Sequence, residues 1–339
     1  MKLISLIIAI LLTAALADGA PTVSGALEDG AGGTEQLERN VAASSNVIVT
    51  VCLASGDVIV HGWDRAEVHA STADAEQLEL QRGAPNSTGP ATRVDVIVSN
   101  TPGKGDDLTC DCSASSDIQL DVPRGATVQI KTNDGAVEIM DVADVRAETL
   151  SGDISVRGVS KRVEASSVSG DVSLENSNGP VRLRSISGSV EASNARTIDA
   201  TDDCEANTVS GDVILAQISH AHVEARTVSG IVSMKGPLVR GGLYNFRTTS
   251  GDMLFTLPDD ASFRVSARIL QGEIITDFTL KDVGGTTPPV PPAPPKPPAP
   301  PAHSARLLTG THGTGDATLD LYTYSGTVRL RRGSIRQSP

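Results

Sequence analysis

Aromatic residues are almost missing from this chain. Its 339 residues include four Phe, three Tyr and one Trp, 2% in all, and none lies between Trp63 and Tyr244. Ordinary globular cores lean on aromatics for bulk, so this interior must be filled another way. Basic charge is scarce too: 28 Lys and Arg against 41 Asp and Glu give a formal net charge of −13. That excludes a general nucleic-acid binder, which needs a basic footprint, and broad attraction to anionic membranes. Past the N-terminus no apolar run approaches the ~20 residues of a membrane helix. The apolar fraction, 39%, is still too high for a disordered chain. Glycine is plentiful, at 32 residues, but lacks the three-residue period of collagen.

The first 17 residues read as a secretory signal peptide. Met1 and Lys2 form a positive start, Leu3 to Leu12 is apolar except for Ser5, and Ala15-Leu16-Ala17 offers a cleavage site. No Cys follows closely, so a lipid anchor is not expected. The mature chain should begin near Asp18 and act in the periplasm, on the cell surface or outside the cell.

One motif recurs through most of the rest. A turn of the form Ser-Gly-Asp-Val places Gly at 56, 135, 152, 170, 188, 211, 230, 251, 272 and 326. From Gly135 to Gly272 the spacings are 17, 18, 18, 23, 19, 21 and 21 residues. Two residues after each Gly the side chain is always apolar, as in Val137, Ile154 and Val172, and four after it is usually so. Apolar positions also fall seven and five residues before, as in Val145 and Ala147. Alternation on both sides of a Gly corner means two strands per unit, each with one buried face. A unit of ~20 residues cannot bury that face alone, but a stack can. Gly suits the corner because it tolerates positive φ, and the adjacent Ser and Asp can bond to the corner's backbone.

The expected fold is therefore all-β: a parallel β-solenoid of about ten coils, right-handed by the default for parallel crossovers. Ladders of Val, Ile, Leu and Ala fill its thin interior in place of aromatics. The expected layout is a flexible lead-in over 18–45, the solenoid over 46–333, and a disordered tail over 334–339. A Pro-rich loop at 284–302 interrupts the array. Ten of the 19 prolines lie in residues 288–301, a polyproline II tract of about 40 Å when extended.

Several short motifs, in order, resemble the bacterial putative-adhesin family. They are Ser55-Gly56-Asp57-Val58 leading into Gly62-Trp63-Asp64-Arg65, and Leu120-Asp121-Val122-Pro123-Arg124-Gly125-Ala126 before the array. Late in the chain come Leu257-Pro258 with Phe263-Arg264-Val265, then Thr314-Gly315-Asp316-Ala317 and Tyr324-Ser325-Gly326-Thr327-Val328. The resemblance covers roughly residues 46–333 and implies a secreted β-solenoid concerned with adhesion. The proline tract departs from it and leaves the place of the last coil open.

Chemistry-bearing clusters are few. Four Cys in an exported chain allow three full disulfide pairings. Cys204 falls on a ladder held by Val in most coils, so it reads as a buried thiol. Cys110 and Cys112 share parity with Leu108, Ile118 and Leu120, an inward reading, although either could bridge Cys52. Cys-Asp-Cys lacks zinc-ligand spacing. An Asp follows the Gly at 57, 153, 171, 212 and 252. Calcium is one reading, but the array lacks the calcium-solenoid signature, so these Asp should stabilise turns. Asp202, Asp203 and Glu205 in the longest coil could cleave a glycosidic bond if correctly spaced, but Asp202 and Asp203 are neighbours in a turn. His220 and His222 flank an Ala on one strand face, with no partner for a triad. No cofactor fingerprint occurs.

The candidate binding site is a row of outward residues four before the Gly: Arg184, Asn207, Arg226, Arg247 and Arg268. Stacking would set Arg226, Arg247 and Arg268 about 5 Å apart, and guanidinium groups grip carboxylates bidentately. An acidic glycan or other cell-surface polymer is the partner this row would take. The competing reading is a solvated, internally paired stripe, because Glu205 and Glu224 lie two positions back on the same face. A binding or scaffolding protein is thus expected rather than an enzyme. A polysaccharide lyase or hydrolase and a purely structural envelope protein are the alternatives.

Overall fold

The computed structural model describes residues 36–84, 88–99, 112–281 and 306–333. The signal peptide, the proline loop at 284–302, Cys110 and the tail at 334–339 lie outside them. The described residues contain strands and no helix.

The strands are β1 (Leu37–Ser55), β2 (Val58–Trp63), β3 (Glu67–Thr72), β4 (Gln77–Arg82), β5 (Ala91–Ser99), β6 (Ile118–Pro123), β7 (Thr127–Asp134) and β8 (Val137–Met140). Regular coils follow: β9 (Asp144–Ser151), β10 (Ile154–Arg157), β11 (Arg162–Ser169), β12 (Val172–Asn178), β13 (Val181–Arg184), β14 (Val190–Arg196), β15 (Asp203–Asn207) and β16 (Val213–Ala216). The last are β17 (His222–Ser229), β18 (Val232–Lys235), β19 (Leu243–Ser250), β20 (Met253–Leu257), β21 (Phe263–Thr276), β22 (Arg306–His312) and β23 (Ala317–Arg332). The expected lead-in ends earlier than its stated boundary at 45, because β1 already pairs antiparallel with β3 from Leu37 to Ala42.

The fold is a parallel β-solenoid. Each coil runs from a strand on one face, through a corner, to a strand on the other face. On the first face the order is β4, β5, β1, β7, β9, β11, β13, β15, β17, β19, β23, β21, β22, all parallel except the outermost pairings of β4 and β22. Inward residues stack into ladders, such as Val145, Val163, Val181, Cys204, Val223 and Tyr244. These side chains are at most 2% exposed. Each fully buried aliphatic side chain contributes about 1.5–3 kcal/mol. All four Phe lie toward the C-terminal end of the array. Phe246 and Phe255 meet edge-on at 4.8 Å between ring centres, and Phe263 meets Phe278 at 5.1 Å. The buried Tyr244 hydroxyl accepts from the Val239 amide at 2.7 Å.

The corners explain the repeated Gly by space more than by φ. A Cβ on any of the ten corner glycines would strike the backbone of the neighbouring coil. Several have positive φ, such as 145° at Gly152, but Gly170 and Gly188 lie outside that region and are equally enclosed. The Asp side chains act between coils. Asp171 Oδ1 accepts the Ser189 amide at 2.7 Å, and Asp57, Asp153, Asp212 and Asp252 each accept an amide of the adjoining coil likewise. A second ladder, three before the Gly, went unseen in the sequence. The hydroxyls of Ser167, Ser185, Thr208 and Thr227 donate to the Gly carbonyl of the neighbouring coil at 2.8–3.1 Å.

Chain order and stack order part company at both ends. The coil of β5 and β6 lies outside that of β1 and β2, although it follows it in sequence. A Cys52–Cys112 disulfide, spanning 60 residues, ties these two layers. Closing a loop of that length contributes about 4 kcal/mol in the chain-entropy account. Cys112 is therefore bridged rather than stacked inward. At the other end β23 enters between β19 and β21 on the first face and between β20 and β21 on the second. The last coil of the sequence is thus the second-outermost layer, and antiparallel β22 covers the edge beyond it.

Candidate functional site

The row four before the Gly emerges on the first face as an exposed column. In stack order it reads Arg184, Asn207, Arg226, Arg247, Tyr322, Arg268. Strand alternation puts all of these outward, while Ala225, Phe246, Leu321 and Ala267 beside them point into the core. The insertion of β23 corrects one expectation: Arg247 and Arg268 are not adjacent but two strand spacings apart, about 9.6 Å.

The arginines divide by their partners. Arg184 pairs with Glu205 at 3.0 Å, and Arg182 reaches the same carboxylate at 2.8 Å. Burial pushes the Glu205 carboxyl up, but the hydrogen bonds from Arg184 and Arg182 outweigh it and hold the group below its ordinary value. Arg226 pairs with Glu224. The paired-stripe reading therefore holds for these two. Arg247 donates only to the neutral Asn245 side chain, at 3.1 Å. Among the described residues no carboxylate forms an ion pair with Arg247 or Arg268.

These unpaired groups face one groove of about 610 Å³, lined by Arg226, Arg247, Arg268, Tyr322, Asp320 and Ser266 among others. Tyr322 is 37% exposed, with its ring between the two free guanidinium positions. Asp320 stands two residues earlier on β23, on the same face and exposed. Neither is singled out by the sequence pattern. Tyr322 does occupy the position four before Gly326, but nothing local reveals that β23 enters between β19 and β21.

The other candidates resolve differently. The Asp202 carboxylate accepts the Ile198 and Asp199 amides, both at 2.8 Å, and locks a turn. Asp203 is exposed and stands 3.6 Å from the ring of His222. His220 and His222 do not share a face. The His220 ring is buried against the Gly179 carbonyl at 2.9 Å, and that burial lowers its pKa. Cys204 is a free, buried thiol, pushed up to about 12 by desolvation. No group of three metal-binding side chains occurs among the described residues.

The stacked parallel coils place the chain among the β-solenoids. Two overlapping stretches, residues 49–200 and 141–287, match the Toastrack DUF4097 family, and the chain belongs to it. No curated protein matches. Among solved structures, a putative cell adhesion protein from Clostridium sporogenes shares 8% identity, covering 88% of this chain and all of that one, with a TM-score of 0.21.

Proposed function

We propose that this protein is an exported, non-enzymatic binding module whose groove on the first solenoid face takes anionic glycans at the cell envelope or outside it. The observation that carries this reading is the pair of guanidinium groups, Arg247 and Arg268, free of carboxylate partners and facing one groove. A disulfide belongs to an oxidising compartment, and the start of the sequence has the form of a secretory signal. Of the carboxylates considered for glycosidic cleavage, Asp202 locks a turn and Glu205 is held by Arg182 and Arg184. A cleaving site needs a carboxylic acid that holds its proton, whereas Glu205 is kept ionised by two arginines.

The test is retention of the mature protein on immobilised acidic and neutral polysaccharides, with polymer length read in parallel. A hydrogen bond to a charged group contributes about 1.5–3 kcal/mol, a factor of roughly 10–150 in affinity. Removing both Arg247 and Arg268 side chains should abolish retention on acidic polymers, whereas Arg184→Ala should leave it unchanged. Retention that survives the double variant would remove the groove from the account. Shortening of the polymer would make the protein an enzyme.

A further inference from the structure

We propose that the groove selects a linear polysaccharide carrying a carboxylate on every second sugar, laid along the solenoid axis across β19, β23 and β21. This rests on the reading of the groove as a glycan site and names the charge pattern it accepts. The exposed column runs across the strands, so its members repeat at one strand spacing, about 4.8 Å. That is close to the advance of one sugar in an extended, equatorially linked chain. The free groups along the column read Arg247, Tyr322, Arg268. Two cations thus stand about 9.6 Å apart, one disaccharide, with an aromatic ring between them.

The three positions ask for different sugars. A guanidinium matches a carboxylate bidentately. Tyr322 presents a ring whose face suits the apolar C–H surface of a neutral sugar and whose hydroxyl can bond to it. Asp320 lies on the same strand and face, two residues from Tyr322 and about 7 Å away. With Arg247 and Arg268 engaged by the sugars on either side, a carboxylate over Tyr322 would have no cation of its own on β23 and would meet the like charge of Asp320. The neighbouring Arg226 does not extend the positive run, because Glu224 already neutralises it. The overall charge of −13 works in the same direction: it repels a dense polyanion more than one with half the charge density.

The experiment measures affinities of the purified mature protein for three oligosaccharides of equal length at one physiological salt concentration. The probes are hyaluronan (uronate alternating with a neutral amino sugar), β-1,4-linked oligomannuronate (uronate at every position, also equatorially linked) and a neutral cello-oligosaccharide. Hyaluronan should bind at least about tenfold more tightly than oligomannuronate, and Arg247→Ala or Arg268→Ala should each cost about tenfold. Asp320→Asn should raise affinity for oligomannuronate by a larger factor than for hyaluronan and so narrow the preference between them, a gain that damage to the fold would not produce. Equal, arginine-dependent binding of both acidic probes would overturn the alternating pattern and leave the anionic-glycan reading standing. Failure of both acidic probes to bind, or binding indifferent to the arginines, would overturn both.

Discussion

Replacing Gly188 by Ala isolates the steric requirement of the corner ladder. Gly188 lies outside the left-handed φ region, so alanine could adopt its backbone shape. Only space excludes it: the new methyl would land on the carbonyl group of Gly170. To make room the two coils must part at the corner. That strains the Gly170 amide bond to the Ser187 carbonyl, at 3.2 Å, and the Ser185 hydroxyl bond to the Gly170 carbonyl, at 2.9 Å. Two such bonds are worth about 1 kcal/mol each, and overpacking adds about 1–3 kcal/mol. The expected loss is about 3–5 kcal/mol. At about 2–4 °C per kcal/mol for a domain of this size, the melting temperature should fall on the order of 10 °C. The control is Gly241→Ala, where φ is +77° and nothing lies within 4 Å of the added methyl. There only left-handed backbone strain of about 1–2 kcal/mol applies. Circular dichroism melts of the two variants would decide. A Gly188→Ala protein that melts no lower than Gly241→Ala would refute the argument that the coils' close approach fixes the glycines.

The hydroxyl ladder predicts opposite signs at two neighbouring rungs. Thr227→Val removes the bond to the Gly211 carbonyl, at 3.0 Å, and should cost about 1 kcal/mol in urea unfolding. Thr248→Val removes a buried hydroxyl without a partner and should be neutral or stabilising. His220 should make stability depend on pH. Its native pKa lies below the ordinary 6.5 because the ring is desolvated, so below that pH the unfolded chain binds a proton the native state resists. The stabilisation is complete above about pH 6.5 and is lost as pH falls toward the depressed native value. The urea midpoint should therefore drop less between pH 8 and pH 5 in His220→Gln than in the unsubstituted protein, and parallel slopes would remove His220 from the account.

Much of this fold was legible because a solenoid repeats its local rules. The Gly corners, the alternation around them and the inward place of Cys204 each follow from one coil read ten times. The interactions that join coils were harder to see. The role of Asp171 is written in the coil of Ser189, and that of Thr227 in the coil of Gly211. The Asp was visible as a residue type recurring at a fixed offset, the hydroxyl position was not, and only stacking supplies the partners of either. The disulfide was open for the same reason. Cys52 and Cys112 meet because the coil of β6 lies beneath that of β2, an order that no local pattern specifies. For the site, the outward register of Arg226, Arg247 and Arg268 was readable, and so was the pairing of Arg226 with Glu224. The spacing between the three arginines was not.

That spacing depends on the interleaved end. A solenoid stacked strictly in chain order would put the coil of Gly272 directly on that of Gly251, making Arg247 and Arg268 neighbours. Two unneutralised guanidinium groups one strand apart repel each other, and they would suit a ligand of dense charge. Entry of β23 inserts Tyr322 and Asp320 between them, which relieves the repulsion and sets the pitch of the groove. It also steadies the end of the stack. An outermost coil has one neighbour and frays, whereas β23 is held from both sides on both faces. The groove is therefore complete only when β23 has taken its place between β19 and β21. Reaching that arrangement requires pairing across a long stretch of sequence, the slowest kind of contact for a chain to make.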